Sequence, residues 1–163
     1  MRVLGIDPGT ATLGWGVIDQ TGSKTSLVDY GALTTPAALA DHLRLKILYE
    51  GLDALLAKHQ PEAAAIEKLY FGQNSRTAMV VGQARGVALL VLAQHNLGYI
   101  EMSPAEVKQA VTGYGRAEKR QVQLMVQRLL GLRDYPRPDD AADALAIAIC
   151  GVEHLRFRKS SGV

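Results

Sequence analysis

The chain is 163 residues long, 48% hydrophobic and 21% charged, which suits one domain with one substantial core and argues against disorder over most of its length. A single cysteine, Cys150, excludes an internal disulfide, so nothing points to an oxidising compartment. Net charge is only +2, yet residues 103–137 carry seven bases against three acids, +4, leaving −2 for the rest; this fits either a surface that meets phosphates or a solvated helical face.

Val3, Leu4 and Ile6 read as a short buried strand, broken by the turn chemistry of Asp7-Pro8-Gly9-Thr10. Residues 14–18 and 26–33 read as a second and a third strand, joined by short polar links of the kind antiparallel hairpins need. No charged and apolar leader pattern precedes the first strand, so a signal peptide is not expected. Pro36 opens a helical pattern that runs to about Lys58, with Leu39, Leu43, Ile47, Leu48, Leu52, Leu55 and Leu56 on its apolar face. Residues 63–66 are a plausible buried strand, closed by Glu67. A loop over 70–75 leads into a second helix from about Arg76 to His95. Its most apolar part, 78–93, is interrupted by Gln83 and Arg85 and is read as falling short of a membrane span.

Residues 99–102 are the fifth strand. Ser103-Pro104-Ala105-Glu106 then has helix-start chemistry: a capping serine, a proline suited to the first helical position and a glutamate that completes a capping box. After a Gly-rich break at 112–115, a further helix places Val122, Val126, Leu129 and Leu130 on one face and stops at Gly131. The last helix runs from about Asp139 to Leu155. The order is α/β with a five-stranded mixed sheet flanked by helices on both faces. One domain spans 1–156, and 157–163 form a short basic tail, expected to be disordered.

Acids stand at the ends of two buried strands. Asp7 closes the first and Glu67 the fourth. If those strands are neighbours, both carboxylates enter one small volume. Asp140 and Asp143 lie three apart, on one face near the start of the last helix. Four carboxylates so gathered repel unless a cation sits among them, and hard Mg²⁺ or Mn²⁺ suits carboxylate oxygen. Each acid also has a plainer reading: Asp7 as a turn former, Asp139 and Asp140 as helix-start acids. Asp143 resists it, because alanines, Leu145 and Ile147 surround it and an unpaired charge there is costly. His42, His59, His95 and His154 show no paired ligand spacing.

The strings Gly5-Ile6-Asp7-Pro8-Gly9-Thr10, Ala65-Ile66-Glu67, Gly82-Gln83-Ala84-Arg85-Gly86 and Asp140-Ala141-Ala142-Asp143-Ala144-Leu145-Ala146 resemble, in order and spacing, the RuvC family of Holliday junction resolvases. The resemblance runs from Val3 to about Cys150. It implies a ribonuclease-H-like fold and a homodimeric endonuclease that nicks four-way DNA junctions in symmetric pairs, leaving 5′-phosphates. It implies that Asp7, Glu67, Asp140 and Asp143 are catalytic ligands for two Mg²⁺ ions, with Mn²⁺ able to substitute; Asp139, beside Asp140, has no assigned role. By the same resemblance Lys108 and Lys119 hold phosphate, and one of Tyr70 and Phe71, preferably Tyr70, stacks against bases at the junction. Arg76 is a further DNA contact by position. Gly82 and Gly86 permit close packing, either on the chain's own sheet or against a twin subunit. The implied partners are four-way DNA junctions and a bacterial branch-migration motor, with no membrane, and the implied compartment is the cytoplasm. A junction-binding protein without catalysis would demand a broken acidic set, and this one is complete; two further rivals stand beside this reading. One is a nuclease of the same fold acting on RNA. The other is a fragment of an actin-like ATPase, whose phosphate loop shares the Asp-x-Gly-Thr pattern of residues 7–10.

Overall fold

The computed structural model describes residues 1–69 and 75–161, excepting the side chains of 75–76 and 158–161. Strands β1 (Arg2–Asp7), β2 (Thr12–Thr21), β3 (Lys24–Thr34), β4 (Ala63–Glu67) and β5 (Tyr99–Met102) form one sheet in the order β3-β2-β1-β4-β5. The first three make an antiparallel meander; β4 joins β1, and β5 joins β4, in parallel. This is the mixed sheet expected from the chain order.

Alternation along the strands divides the core in two. Leu4 and Ile6 of β1, Leu13, Trp15 and Val17 of β2, and Ala64 and Ile66 of β4 face helices α1 (Asp41–His59) and α2 (Ser75–Gln94). Val3, Ile18, Ala65 and Met102 face α3 (Pro104–Thr112), α4 (Lys119–Leu129) and α5 (Asp139–Ser161). On α1, Leu48, Leu52 and Leu56 are buried at helical spacing, each stabilising the fold by roughly 2 kcal/mol.

Helix α1 starts five residues later than Pro36 suggests. Leu39 N–H bonds back to Pro36 O in a turn, and the first helical bonds run from Leu43 and Arg44 to Ala40 O. The α3 cap matches its sequence signature: Glu106 N–H bonds to Ser103 Oγ, Ser103 N–H bonds to the Glu106 carboxylate, and Gly113 ends the helix at φ 75°. Helix α5 continues through Ser161, so helical backbone enters the segment 157–163 read as a tail. By length and composition alone, Thr77–Gln94 is able to cross a membrane, which corrects the expectation that Gln83 and Arg85 bring it short of a span. In the fold Ala84, Ala88, Val91 and Leu92 pack that helix on the sheet.

Candidate active site

The parallel pairing of β1 with β4 brings the two strand-end acids side by side. Gly5 opposes Ala65 and Ile6 opposes Ile66, so Asp7 and Glu67 end adjacent strands at one edge. With Leu4, Ile6, Ala64 and Ile66 committed to the α1–α2 side, the pleat turns Asp7 and Glu67 to the α5 side.

Helix α5 comes unusually close to meet them. A Cβ at Gly5 would lie 2.0 Å from Ala144 O, one at Gly14 would lie 1.9 Å from Asp140 O, and one at Gly16 would meet the Leu145 side chain at 2.6 Å. Three strand glycines therefore make a shallow seat in which the helix backbone lies almost on the sheet. Ala141, Ala144 and Ala148 face it and are fully buried. Asp143 is carried to the Asp7–Glu67 edge, and Asp140 sits one turn nearer the helix N-terminus.

Asp7, Glu67, Asp143, Lys108 and Lys119 line one cavity of about 270 Å³. Val107, Val122 and Ile147 supply much of its apolar wall. Lys108 is presented by the capped helix α3, whose Val107 and Val111 are buried. Lys119 opens α4, where Glu118 and Gln121 form a second capping box and Val122 and Val126 anchor the helix. Lys119 Nζ donates to Asp143 Oδ2 at 3.1 Å and lies 3.7 Å from Asp139.

The electrostatics are those of an acid cluster short of cations. Burial, then the charges of Asp143, Glu67 and Asp140, push Asp7 up to about 7 against the opposing pull of Lys119. Burial and Asp143 also raise Glu67, with Lys108 opposing. Burial raises Asp143 despite its hydrogen bond from Lys119. For Lys119, burial works downward, but the hydrogen bond to Asp143 and the charges of Asp143, Asp139 and Asp140 win and its pKa rises.

Asp140 does not line the cavity; it acts on Asp7 and Asp143 through its charge. Asp139 is exposed and accepts from Gln123 Nε2 at 3.1 Å, a partner outside the cavity. Among the described residues, the acids do not close into a ready three-ligand metal cage, as mutual repulsion dictates when only lysines stand between them. The donor set nevertheless fits a hard divalent cation: all oxygen, partly buried, and with protonation favoured by charges that a cation would cancel. Tyr70 and Phe71 lie outside the described residues, as does the side chain of Arg76. A Cβ at Gly82 would touch Leu69 at 3.5 Å, whereas Gly86 has nothing within 4 Å of its Cβ position.

A family model for the crossover junction endodeoxyribonuclease RuvC matches residues 3–151. The chain belongs to the RuvC family. The RuvC protein of Chloroflexus aggregans is 61% identical over 150 residues, 92% of each chain. That of Rubrobacter xylanophilus is 53% identical over 161 residues, covering 99% of this chain and 90% of its own. Thermus thermophilus RuvC, solved in complex with a Holliday junction substrate, superposes with a TM-score of 0.92 at 35% identity over 96% of both chains. The architecture is accordingly the ribonuclease-H-like fold of RuvC. Within that fold, sequence reasoning gave no role to Lys68 and Arg85, which line a second cavity with Asp7 and Glu67. The available signal was an arginine placed among alanines and valines of an apolar helix.

Proposed function

We propose that this chain is a homodimeric endodeoxyribonuclease that resolves four-way DNA junctions by paired symmetric nicks, hydrolysing phosphodiesters to leave 5′-phosphates. One observation carries the reading: in a chain of RuvC type over nearly its whole length, Asp7, Glu67 and Asp143 share a cavity with Lys108 and Lys119. The Thermus relative, a RuvC solved in complex with a Holliday junction substrate, supports the choice of DNA structure. Nothing supports the RNA nuclease or the actin-like ATPase.

RuvC enzymes are divalent-metal-dependent nucleases. Here Asp7, Glu67, Asp140 and Asp143 are the residues to hold two Mg²⁺ ions, or Mn²⁺ in their place. Such ions supply Lewis acidity that activates water and stabilises the leaving oxygen. The chain's own groups do the rest. The carboxylates would hold and space those ions at the sheet edge, and the apolar wall limits solvent. Lys108 and Lys119 attract the DNA backbone and offset charge that grows in the transition state. Lys119 is held by Asp143 until phosphate competes for it. Tyr70 and Arg76 complete the proposed DNA contacts.

For the dimer, the exposed side of α2 is the candidate face. Met79 and Leu90 are 67% and 52% exposed there, with open space over Gly86 between them. A two-fold dimer matches a two-fold junction and puts one site on each of two opposed strands. On this reading the chain is a single nuclease domain over 1–156 that works with a branch-migration motor in the cytoplasm.

The test is a synthetic four-way junction with Mg²⁺ and either the native chain or Asp7→Asn. The native chain should make paired nicks that ligase can seal, and a chelator should abolish them. Asp7→Asn should bind but cut more slowly by about 10³-fold or more. Equal cutting by both would remove Asp7 from the site.

A further inference from the structure

Asp7 has less sheet behind it than the other acids. Pairing with β4 ends at Ile6 opposite Ile66, and pairing with β2 ends at Asp7 opposite Gly14. Pro8, Gly9 and Thr10 therefore leave the sheet directly after the carboxylate. Glu67, by contrast, is followed by Lys68, whose N–H still bonds to Met102 O at 2.8 Å, and Asp140 and Asp143 ride on α5 in its glycine seat. The charges of Asp143, Glu67 and Asp140 nevertheless press on Asp7, so something must hold the turn that carries it.

Packing against α2 does not do so alone. Asp7 and Pro8 on one side and Val81 and Arg85 of α2 on the other border a cavity of about 330 Å³. Two buried threonines bridge this part of the fold. Thr10, 5% exposed, donates from Oγ1 to Val80 O of α2 at 2.9 Å. Thr35, in the link between β3 and α1, donates from Oγ1 to Thr10 O at 2.6 Å, and its N–H bonds to Ala11 O at 3.0 Å. Arg44 of α1 donates from Nε to Thr35 Oγ1 at 2.8 Å.

The turn has little slack. A Cβ at Gly9 would lie 2.4 Å from Thr12 O, so the backbone folds tightly on itself and passes a shift at Thr10 on to Asp7. A valine has nearly the shape of a threonine and would fill the same space. What the Thr10 hydroxyl adds is a fixed direction and distance to α2, not volume.

We infer that Thr10 is a positioning residue for the hydrolysis: its side chain ties the turn after Asp7 to α2 and, with Thr35, holds the Asp7 carboxylate at the metal-binding edge against the repulsion of the other acids. This deepens the nuclease reading above and rests on it.

The test compares Thr10→Val, which deletes the hydroxyl and keeps the shape, with Thr10→Ser, which keeps the hydroxyl. The control is Thr25→Val, which deletes the hydroxyl that Thr25 donates to Gln20 Oε1 at the far end of β2. Both valine variants lose one side-chain hydrogen bond and should melt a few degrees lower. Thr10→Val should in addition cut a saturating synthetic junction more slowly in Mg²⁺, by about 10- to 100-fold, with junction affinity unchanged. Without DNA, its melting temperature should rise less than that of the native chain when Mg²⁺ is added. Thr10→Ser and Thr25→Val should keep the native cutting rate and the native Mg²⁺ response. Thr35→Val, which frees the Thr10 carbonyl instead of its hydroxyl, should behave as Thr10→Val does, and it reports if Thr10→Val does not fold. Cutting and Mg²⁺ responses in Thr10→Val and Thr35→Val that match those of Thr25→Val would overturn the positioning role and leave the nuclease reading standing. A native chain that neither cuts the junction nor gains stability from Mg²⁺ would remove that reading, and the positioning role with it.

Discussion

The two ends of β1 treat charge in opposite ways. At its start, Arg2 grips Asp19 through Nε and Nη2 at 2.8 and 2.9 Å and donates from Nη1 to His59 O at 2.9 Å, while the N-terminal amine lies 3.6 Å from Glu62. The hydrogen bond from Arg2 holds Asp19 below the usual carboxylate range. At its finish, five residues on, Asp7 is buried among like charges and pushed up to about 7. One strand therefore ends in matched pairs that support the fold and in an unmatched cluster that opposes it. The sheet and α5 supply the rigidity that makes the second end tolerable.

The sharpest way to break this contrast is to fill the seat beneath α5. Gly14→Val and Gly5→Val each place side-chain atoms where Asp140 O or Ala144 O now lies. Either should destabilise the chain by about 4 kcal/mol or more, within the range of severe overpacking, as a large drop in urea midpoint would show.

Asp7→Asn should next separate fold from function. The folded pKa of Asp7 is raised, so its share of stability in metal-free protein is complete below the unfolded value of 3.8 and is lost as pH rises towards 7. At pH 8 and without divalent metal, Asp7→Asn should therefore melt higher than the native chain, by at most about 4 kcal/mol and less where solvent relaxes the cluster. Added Mg²⁺ should close or reverse that gap. A native chain as stable at pH 8 as at pH 5 without metal would contradict the repulsion.

Lys119→Gln takes away the cation that holds Asp143 at 3.1 Å. Junction cutting should fall by about 10²-fold, with metal-free stability above pH 7 also reduced. The smallest effect is expected at the matched end. Arg2→Ala should lower the melting temperature by a few degrees at neutral pH and by less in acid. The Asp19 pKa is depressed, so its stabilisation is present above the unfolded value and disappears as pH falls through the folded one. Opposite pH slopes at Asp7 and Asp19 are thus a direct reading of the contrast, in melts of the native, Asp7→Asn and Arg2→Ala chains.

Much of this architecture is legible along the chain. The apolar runs ending in Asp7 and Glu67 mark β1 and β4 and their functional ends, because a buried strand that closes on an acid has few structural reasons to do so. Ser103 and Glu106 announce α3 through local capping chemistry, which needs no tertiary context. The start of α1 is not legible locally, because Pro36 suits a first helical turn and a tight turn equally well. Gly14 and Gly16 read only as strand and turn structure: their role depends on a helix more than 120 residues later, and no local pattern carries that information. Arg85 read as an interruption of an apolar helix, since its Glu101 partner and its unused donor edge exist only once β5 is in the sheet. The relation of Asp140 to Asp139 needed α5 in place, where the exposed Asp139 accepts from Gln123, outside the cavity.

The glycine seat has a consequence for how this enzyme can vary. Because α5 rests on bare backbone at Gly5 and Gly14, it has no room to roll, and a one-residue slip would swing Asp140 and Asp143 by roughly 100° around its axis. Length changes are therefore tolerable in the loop before α5 but not within its first three turns. The depth and azimuth of half the acidic set are governed by positions that contribute no side chain at all.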